Sequence, residues 1–181
     1  MAPENWMERG FQRILEKVRS ERPVVCHGLS LSIGSPDPIS LDFLRRLKRF
    51  FDDFEIEVYS EHISFCSLEG SYLYDLLPLP MTEDMVRHIT SKAKIVQEFL
   101  ERPLILENIS YYGIPPSTMD GPDFINAILT EADACTLLLD VNNIYVNAVN
   151  HNFDPYDFIE RIDLSRVAYV HVAGHERFER I

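Results

Sequence analysis

Five short β-type runs in this chain each lead into a residue that can bind a metal, and this recurrence constrains the fold more than any other feature. Pro23 to Cys26 leads into His27, and Glu55 to Tyr59 into Ser60, Glu61 and His62. Pro103 to Leu106 leads into Glu107 and Asn108, Cys135 to Leu139 into Asp140, and Val167 to Val170 into His171. A continuous apolar run such as the one ending in LLLDVNNIY reads as a parallel strand covered on both faces, and its carboxy end is where α/β proteins place their chemistry. The intervals from His27 through His62, Glu107 and Asp140 to His171 are 35, 45, 33 and 31 residues. One strand, one helix and two loops take roughly 30 residues. Each metal-binding residue therefore belongs to a successive βα unit, and the longer second interval leaves room for an extra loop.

Helical patterns fill the gaps. Phe11, Ile14, Leu15 and Val18 follow the polar opening APENWMERG, with no strand before them. Ser40 caps a helix whose apolar face is Phe43, Leu44, Leu47, Phe50, Phe51 and Phe54, opposite Arg45, Arg46, Lys48 and Arg49. Thr82 caps a long helix with Met85, Val86, Ile89, Ala93, Val96 and Phe99 inward, and His88 on it has no partner at useful spacing. Gly121-Pro122 opens a helix that buries Phe124, Ile125, Ile128 and Leu129, and Asp154-Pro155 starts the last one. The segment ISFCSLEGSYLYDLLPLP shows no period and reads as the extra loop, an ordered lid or wall. NAVNHNFDP reads as a second loop.

Alternating strands and helices with every strand buried mean a parallel sheet, open or closed. No Gly-rich phosphate turn follows any strand, and metal-binding residues at five successive strand ends converge only around a closed ring, so the expected fold is a (β/α)8 barrel. A whole barrel takes about 250 residues. The 181 residues are therefore expected to form one partial barrel domain with strands two to six, lacking the first and the last two, and to leave parallel edges and apolar helix faces uncovered.

The net charge of -12 disfavours nucleic acid, which needs clustered Lys and Arg, and favours a cation site. Cys26, Cys66 and Cys135 lack metal-ribbon spacing and read as reduced core thiols. No apolar segment near Met1 resembles a signal peptide and no run approaches membrane-spanning length, so the expected location is the cytoplasm.

Imidazole and carboxylate at a barrel mouth suit Zn2+, Mn2+ or iron, with Glu107 and Asp140 able to bridge two ions and His27, His62 and His171 as terminal ligands. Parity supports this: Ile56, Val58, Ser60 and His62 share one strand face, as do Val167, Tyr169 and His171, while Glu61 and Val170 face the helices. A lone strand-end histidine is more often hydrogen-bonded scaffold, but five such residues in matching positions favour a shared site. Asn108, Asn142 and Asn143 fit either turn chemistry and ligand orientation or, for Asn143, direct ligation. His175 and His151 are weaker candidates, and no separate catalytic residue is indicated.

HGLSLSIGS, SEHISF, LLPLP, LENISYYG, LLLDVNNIYVNAVNHNFDP and HVAGHE together resemble the multinuclear non-haem iron enzymes typified by the methanobactin biosynthesis subunit MbnB, with TglH-like and HvfB-like relatives. The likeness runs from ENWM onward. It implies a barrel of the xylose-isomerase and endonuclease-IV type holding two or three irons. It further implies an oxygen-using enzyme that modifies cysteine residues of a ribosomally made precursor peptide (RiPP biosynthesis), beside a partner protein that presents the peptide. By the same resemblance His27, His62, Glu107, Asp140 and His171 match the family's metal positions, with Asn143 as a further ligand. The family's later strands supply more ligands, and this sequence stops before them. Two other readings stay open: a redox-neutral isomerase or phosphodiesterase of the wider barrel group, and a non-catalytic fragment or peptide-binding scaffold.

Overall fold

The chain builds one parallel sheet in the βα rhythm and interrupts it once with a hairpin. The computed structural model describes residues 1–7 and 12–174. In order, the elements are α1 (Gln12–Glu21), β1 (Cys26–His27), α2 (Leu41–Asp53), β2 (Tyr59–His62), β3 (Phe65–Leu68), β4 (Ser71–Leu77) and α3 (Glu83–Leu100). Then come β5 (Leu104–Glu107), α4 (Gly121–Glu131), β6 (Thr136–Asp140), α5 (Val141–His151), α6 (Pro155–Arg161) and β7 (Val167–His171). Strands β1, β2, β5, β6 and β7 lie side by side in that order, each parallel to its neighbour, as an incomplete barrel.

His27, His62, Glu107, Asp140 and His171 are each the last residue of their strand rather than the residue after it. Pairing explains the difference. His27 lies opposite Ser60, His62 opposite Glu107, Glu107 opposite Leu138, and Asp140 opposite His171. From one strand's terminal residue to the next, the register thus advances by two, zero, two and zero residues, about one per strand on average. A closed eight-stranded barrel of shear 8 advances at that same rate, about one residue per strand, so the five side chains sit at one height on its rim.

The main core lies between the sheet and the helices. Leu44, Leu47, Phe50 and Phe51 of α2, Val86, Ile89 and Val96 of α3, and Ile125, Ile128 and Leu129 of α4 pack with Tyr59, Leu104, Leu106, Leu137 and Leu139 from the strands. The caps read from the sequence are formed: Ser40 accepts from Phe43 N, Thr82 from Met85 N and Asp154 from Tyr156 N. On α3, Met85 and Phe99 are only partly buried, and Leu100 and Lys92 are buried instead. Lys92 Nζ is held by the Ser35 and Asp37 carbonyls, and His88 Nε2 also donates to Ser35 O, so this histidine fastens the loop before α2. On α1 only Leu15 is buried, while Ile14 and Val18 are exposed; Phe11 lies outside the described residues.

Three expectations need correction. The segment after His62 is an antiparallel hairpin, β3 paired with β4, anchored by Ser32 Oγ accepting from Cys66 N and Ser67 N. Its register shifts between Phe65 and Ser67, and the irregular pairing erased any period a sequence could display. NAVNHNFDP is a connection only from Asn152 to Asp154, since its first five residues are the end of the helix α5. Val170, expected to face helices, is about half exposed. At the other edge, Met1 takes the place of a strand partner for β1: its N donates to Val25 O at 3.0 Å, and its O accepts from His27 N at 2.8 Å.

All three cysteines are free and buried. Burial pushes the Cys26 and Cys135 thiols up to about 12. At pH 8 their alkylation in the native protein is therefore expected to run roughly a thousandfold slower than in the denatured chain, as timed mass spectrometry would read. Labelling of Cys26 or Cys135 at the denatured rate would contradict their placement. Among the described residues, no helix is long and apolar enough to cross a membrane.

Candidate metal centre

Glu107 is the hub. Its carboxylate is almost fully buried, with Oε2 2.9 Å from His27 Nε2 and 3.1 Å from His62 Nε2, and Oε1 3.0 Å from His171 Nδ1. His27 Nε2 and His62 Nε2 are 3.2 Å apart. Asp140 stands beside the group, with Oδ2 3.7 Å from His171 Nδ1. His27, Glu107 and His171 each offer a ligand atom within 4.8 Å of the others. His62 completes the group by its two short contacts. Burial is graded: Glu107 and His62 lie at the bottom, while the His27 and His171 side chains are 23% and 41% exposed at the mouth.

Although both imidazoles are within hydrogen-bonding distance, Glu107 Oε2 has no hydrogen-bond partner of acceptable geometry. A buried, unpaired carboxylate oxygen is costly and needs an explanation. Donors about 2.0–2.2 Å from a shared cation in tetrahedral or octahedral array lie roughly 2.8–3.6 Å from one another. The 2.9, 3.1 and 3.2 Å separations fall in that range. The mixed imidazole and carboxylate donors fit zinc, manganese or iron better than a thiolate site.

The protein fixes these groups from behind. His62 Nδ1 is 3.0 Å from Gly28 O, which can only accept, so Nδ1 carries the proton and a neutral ring leaves Nε2 bare toward Glu107. The loop carrying Gly28 is held by two carboxylates. Glu4 Oε1 accepts from Leu29 N and Ser30 N, and Glu61 Oε1 accepts from Leu31 N and from the Tyr59 hydroxyl. A Cβ at Gly28 would collide with the Glu61 carboxylate and the Tyr59 hydroxyl, so a larger residue there would displace the ends of these two buried side chains.

Charge follows the same geometry. Burial alone would raise the Glu107 carboxyl, but hydrogen-bond-length contacts with His27 and His62 outweigh it and hold the group well below the usual carboxylate range. Burial works against a charged His62, yet the Glu107 and Glu61 carboxylates win and lift it to about 9. Asp140 is raised, first by burial and then by the negative charge of Glu107, with the Asn143 N–H opposing.

The asparagines orient and brace. Asn108 Oδ1 accepts from Asp140 N and its Nδ2 donates to Asp140 O, both at 2.9 Å, tying β5 to β6. Asp140 caps α5 through Oδ1, which accepts from Asn143 N at 2.7 Å and leaves Oδ2 toward His171. Asn143 Nδ2 donates to Asn108 O at 3.0 Å, so its side chain serves the backbone. Asn142 is half-buried and makes no side-chain hydrogen bond among the described residues. His175 lies outside them.

Sequence reading missed a second role for α5. Asn143, Asn147 and His151, at i, i+4 and i+8, lie along one face, and each binds the chain that follows Glu107. Asn147 donates to Ile109 O at 2.9 Å and accepts from Tyr111 N at 2.8 Å, while His151 Nε2 donates to Tyr111 O and its ring stacks on Tyr111. The i, i+4, i+8 spacing of Asn and His was the available signal. Asn147→Ala leaves two backbone groups unpaired and is expected to cost about 1–3 kcal/mol in chemical denaturation. A change within measurement error would show that water replaces the amide.

The class defined by fold and site is thus an incomplete parallel α/β barrel with imidazoles and carboxylates gathered on its rim as a candidate cation site. The chain belongs to the MbnB/TglH/ChrH family of RiPP precursor modification enzymes, whose model matches residues 1–181. It is 51% identical over 177 residues to a UPF0276 protein of Shewanella oneidensis, covering 97% of this chain and 63% of that protein. It is 45% identical over 178 residues to a UPF0276 protein of Pseudomonas aeruginosa, covering 97% and 62%. The chain thus spans less than two thirds of these relatives. Among solved structures, D-psicose 3-epimerase matches with a TM-score of 0.58 at 11% identity over 98% of this chain and 65% of its own. The 3-keto-D-glucoside 4-epimerase of E. coli matches with a TM-score of 0.57 at 11% identity, over 90% and 65%. At such identity the likeness is one of fold.

Proposed function

We propose that the full-length protein is an iron-dependent enzyme of the cytoplasm that uses O2 to modify cysteine residues of a ribosomally made precursor peptide, with a partner protein presenting the peptide. Family membership supports the peptide substrate. The observation that carries the metal requirement is the buried, unpartnered Glu107 Oε2 beside two imidazole nitrogens. In this reading His27, His62, Glu107, Asp140 and His171 would hold the iron. Iron held there supplies one-electron redox chemistry with O2 as oxidant.

The residues of the chain divide the remaining work. Gly28 O keeps the His62 proton on Nδ1, and Asn108 with Asn143 sets the Asp140 carboxylate. Glu107 and His62 keep water from the base of the site by their burial, while the exposed His27 and His171 edges line the side from which a peptide thiol can approach.

Full-length protein made with iron and excess precursor peptide provides the test. Expected are bound iron and O2 uptake that needs the peptide's cysteines and is lost when they are replaced by serine. A protein that carries zinc alone and consumes no O2 with the peptide overturns the proposal.

A further inference from the structure

Two hydroxyl groups behind His27 lie outside the donor cluster, and together they govern how that imidazole is presented. Ser60 is fully buried on β2, on the same face as His62 and opposite His27 in the register. Its Oγ is 2.8 Å from His27 Nδ1, 2.6 Å from the Tyr169 hydroxyl and 3.3 Å from Cys26 O. Tyr169 reaches it from β7, across the inside of the sheet.

Hydrogen counting restricts the arrangement. A serine hydroxyl donates one hydrogen, and a carbonyl oxygen only accepts. With the Ser60 hydrogen on Cys26 O, the Ser60 oxygen accepts from Tyr169 and from His27 Nδ1–H. The neutral His27 ring then has a bare Nε2, facing Glu107 Oε2 at 2.9 Å and His62 Nε2 at 3.2 Å. If Ser60 instead turned its hydrogen to His27 Nδ1, the imidazole proton would sit on Nε2. There it would point into the donor cluster, where its acceptor is His62 Nε2 at 3.2 Å rather than Glu107 Oε2, and it would fill the space between the three donor atoms that a cation needs. His62 solves the same problem with a fixed acceptor, Gly28 O.

We propose that Ser60, oriented by Tyr169, is a positioning residue that holds His27 as the Nδ1–H tautomer, so that Nε2 is offered to a cation. The inference rests on the metal-centre reading above, and two separate measurements keep the two apart. Nitrogen-15 imidazole spectra of the metal-free full-length protein are expected to show neutral His27 protonated on Nδ1. In Ser60→Ala this preference is lost, and in Tyr169→Phe it is reduced. Titration with Zn2+ alone, against a competing chelator, is expected to show a drop of about 10- to 100-fold in affinity for Ser60→Ala, the range typical when an orienting partner of a ligand is lost. Ser60→Thr, which keeps the hydroxyl, restores both readings, as a merely structural role for a small side chain would not. Wild-type His27 protonated on Nε2, or a Ser60→Ala variant that keeps both the tautomer and the Zn2+ affinity, overturns the proposal. If wild-type protein takes up no Zn2+, the metal reading falls, and the tautomer spectrum alone decides the role of Ser60.

Discussion

Replacing Glu107 by glutamine is expected to bring the metal content of the purified full-length protein to background. The carboxylate meets His27 and His62 through one oxygen and His171 through the other, so one substitution removes the charge common to all three. Loss of an orienting partner costs about 10- to 100-fold in metal affinity, and loss of a shared ligand must exceed that. The glutamine is close to isosteric, so the sheet survives and circular dichroism should be unchanged. The metal-free variant carries a second signature: without its main negative partner, His62 should titrate well below the value of about 9 that it has beside Glu107. Wild-type metal stoichiometry in Glu107→Gln would remove the reason for placing a cation at this carboxylate.

The second large effect is a conflict between stability and metal affinity as pH rises. In the metal-free protein His62 is lifted from the ordinary 6.5 to about 9, so its charged form is stabilised by folding. That contribution, on the order of 3 kcal/mol, is fully present below pH 6.5 and disappears as pH rises through 9. Glu107 is shifted the opposite way, so its share is present above the usual carboxylate pKa and is lost only in acid. A cation must displace the His62 proton, so metal affinity should climb about tenfold per pH unit between 6.5 and 9, while metal-free stability falls. Denaturation and metal titrations across this window test both slopes. His62→Gln should flatten both, and a wild-type affinity independent of pH would exclude proton displacement from His62.

Much of the architecture was legible because the strands carry their signal locally. Apolar runs at intervals of 31 to 45 residues leave room for a helix in every gap and so read as βα units, and the helix faces of α2 and α4 are periodic enough to name their buried residues. The meeting of His27, His62, Glu107 and His171 followed from strand-end position and parity. Features that depend on long-range partners were not legible. α5 is rich in asparagine, which ordinarily favours turns, and it is helical because Asp140 caps it and its polar face binds the loop after Glu107. β4 has an irregular pairing with no period to read. Ser60 and Tyr169 touch across 109 positions of sequence, and a serine and a tyrosine inside strands give no sign of that contact.

The two-zero-two-zero advance of terminal residues around the sheet has a consequence for how such a protein can vary. Inserting a single amino acid within a strand, upstream of its last residue, would swing the imidazole or carboxylate to the helix side. Inserting two would restore its facing but lift it about 6.6 Å off the common level. Length changes should therefore be absorbed in the connections, such as the hairpin β3–β4, where they leave the phase of the strands untouched.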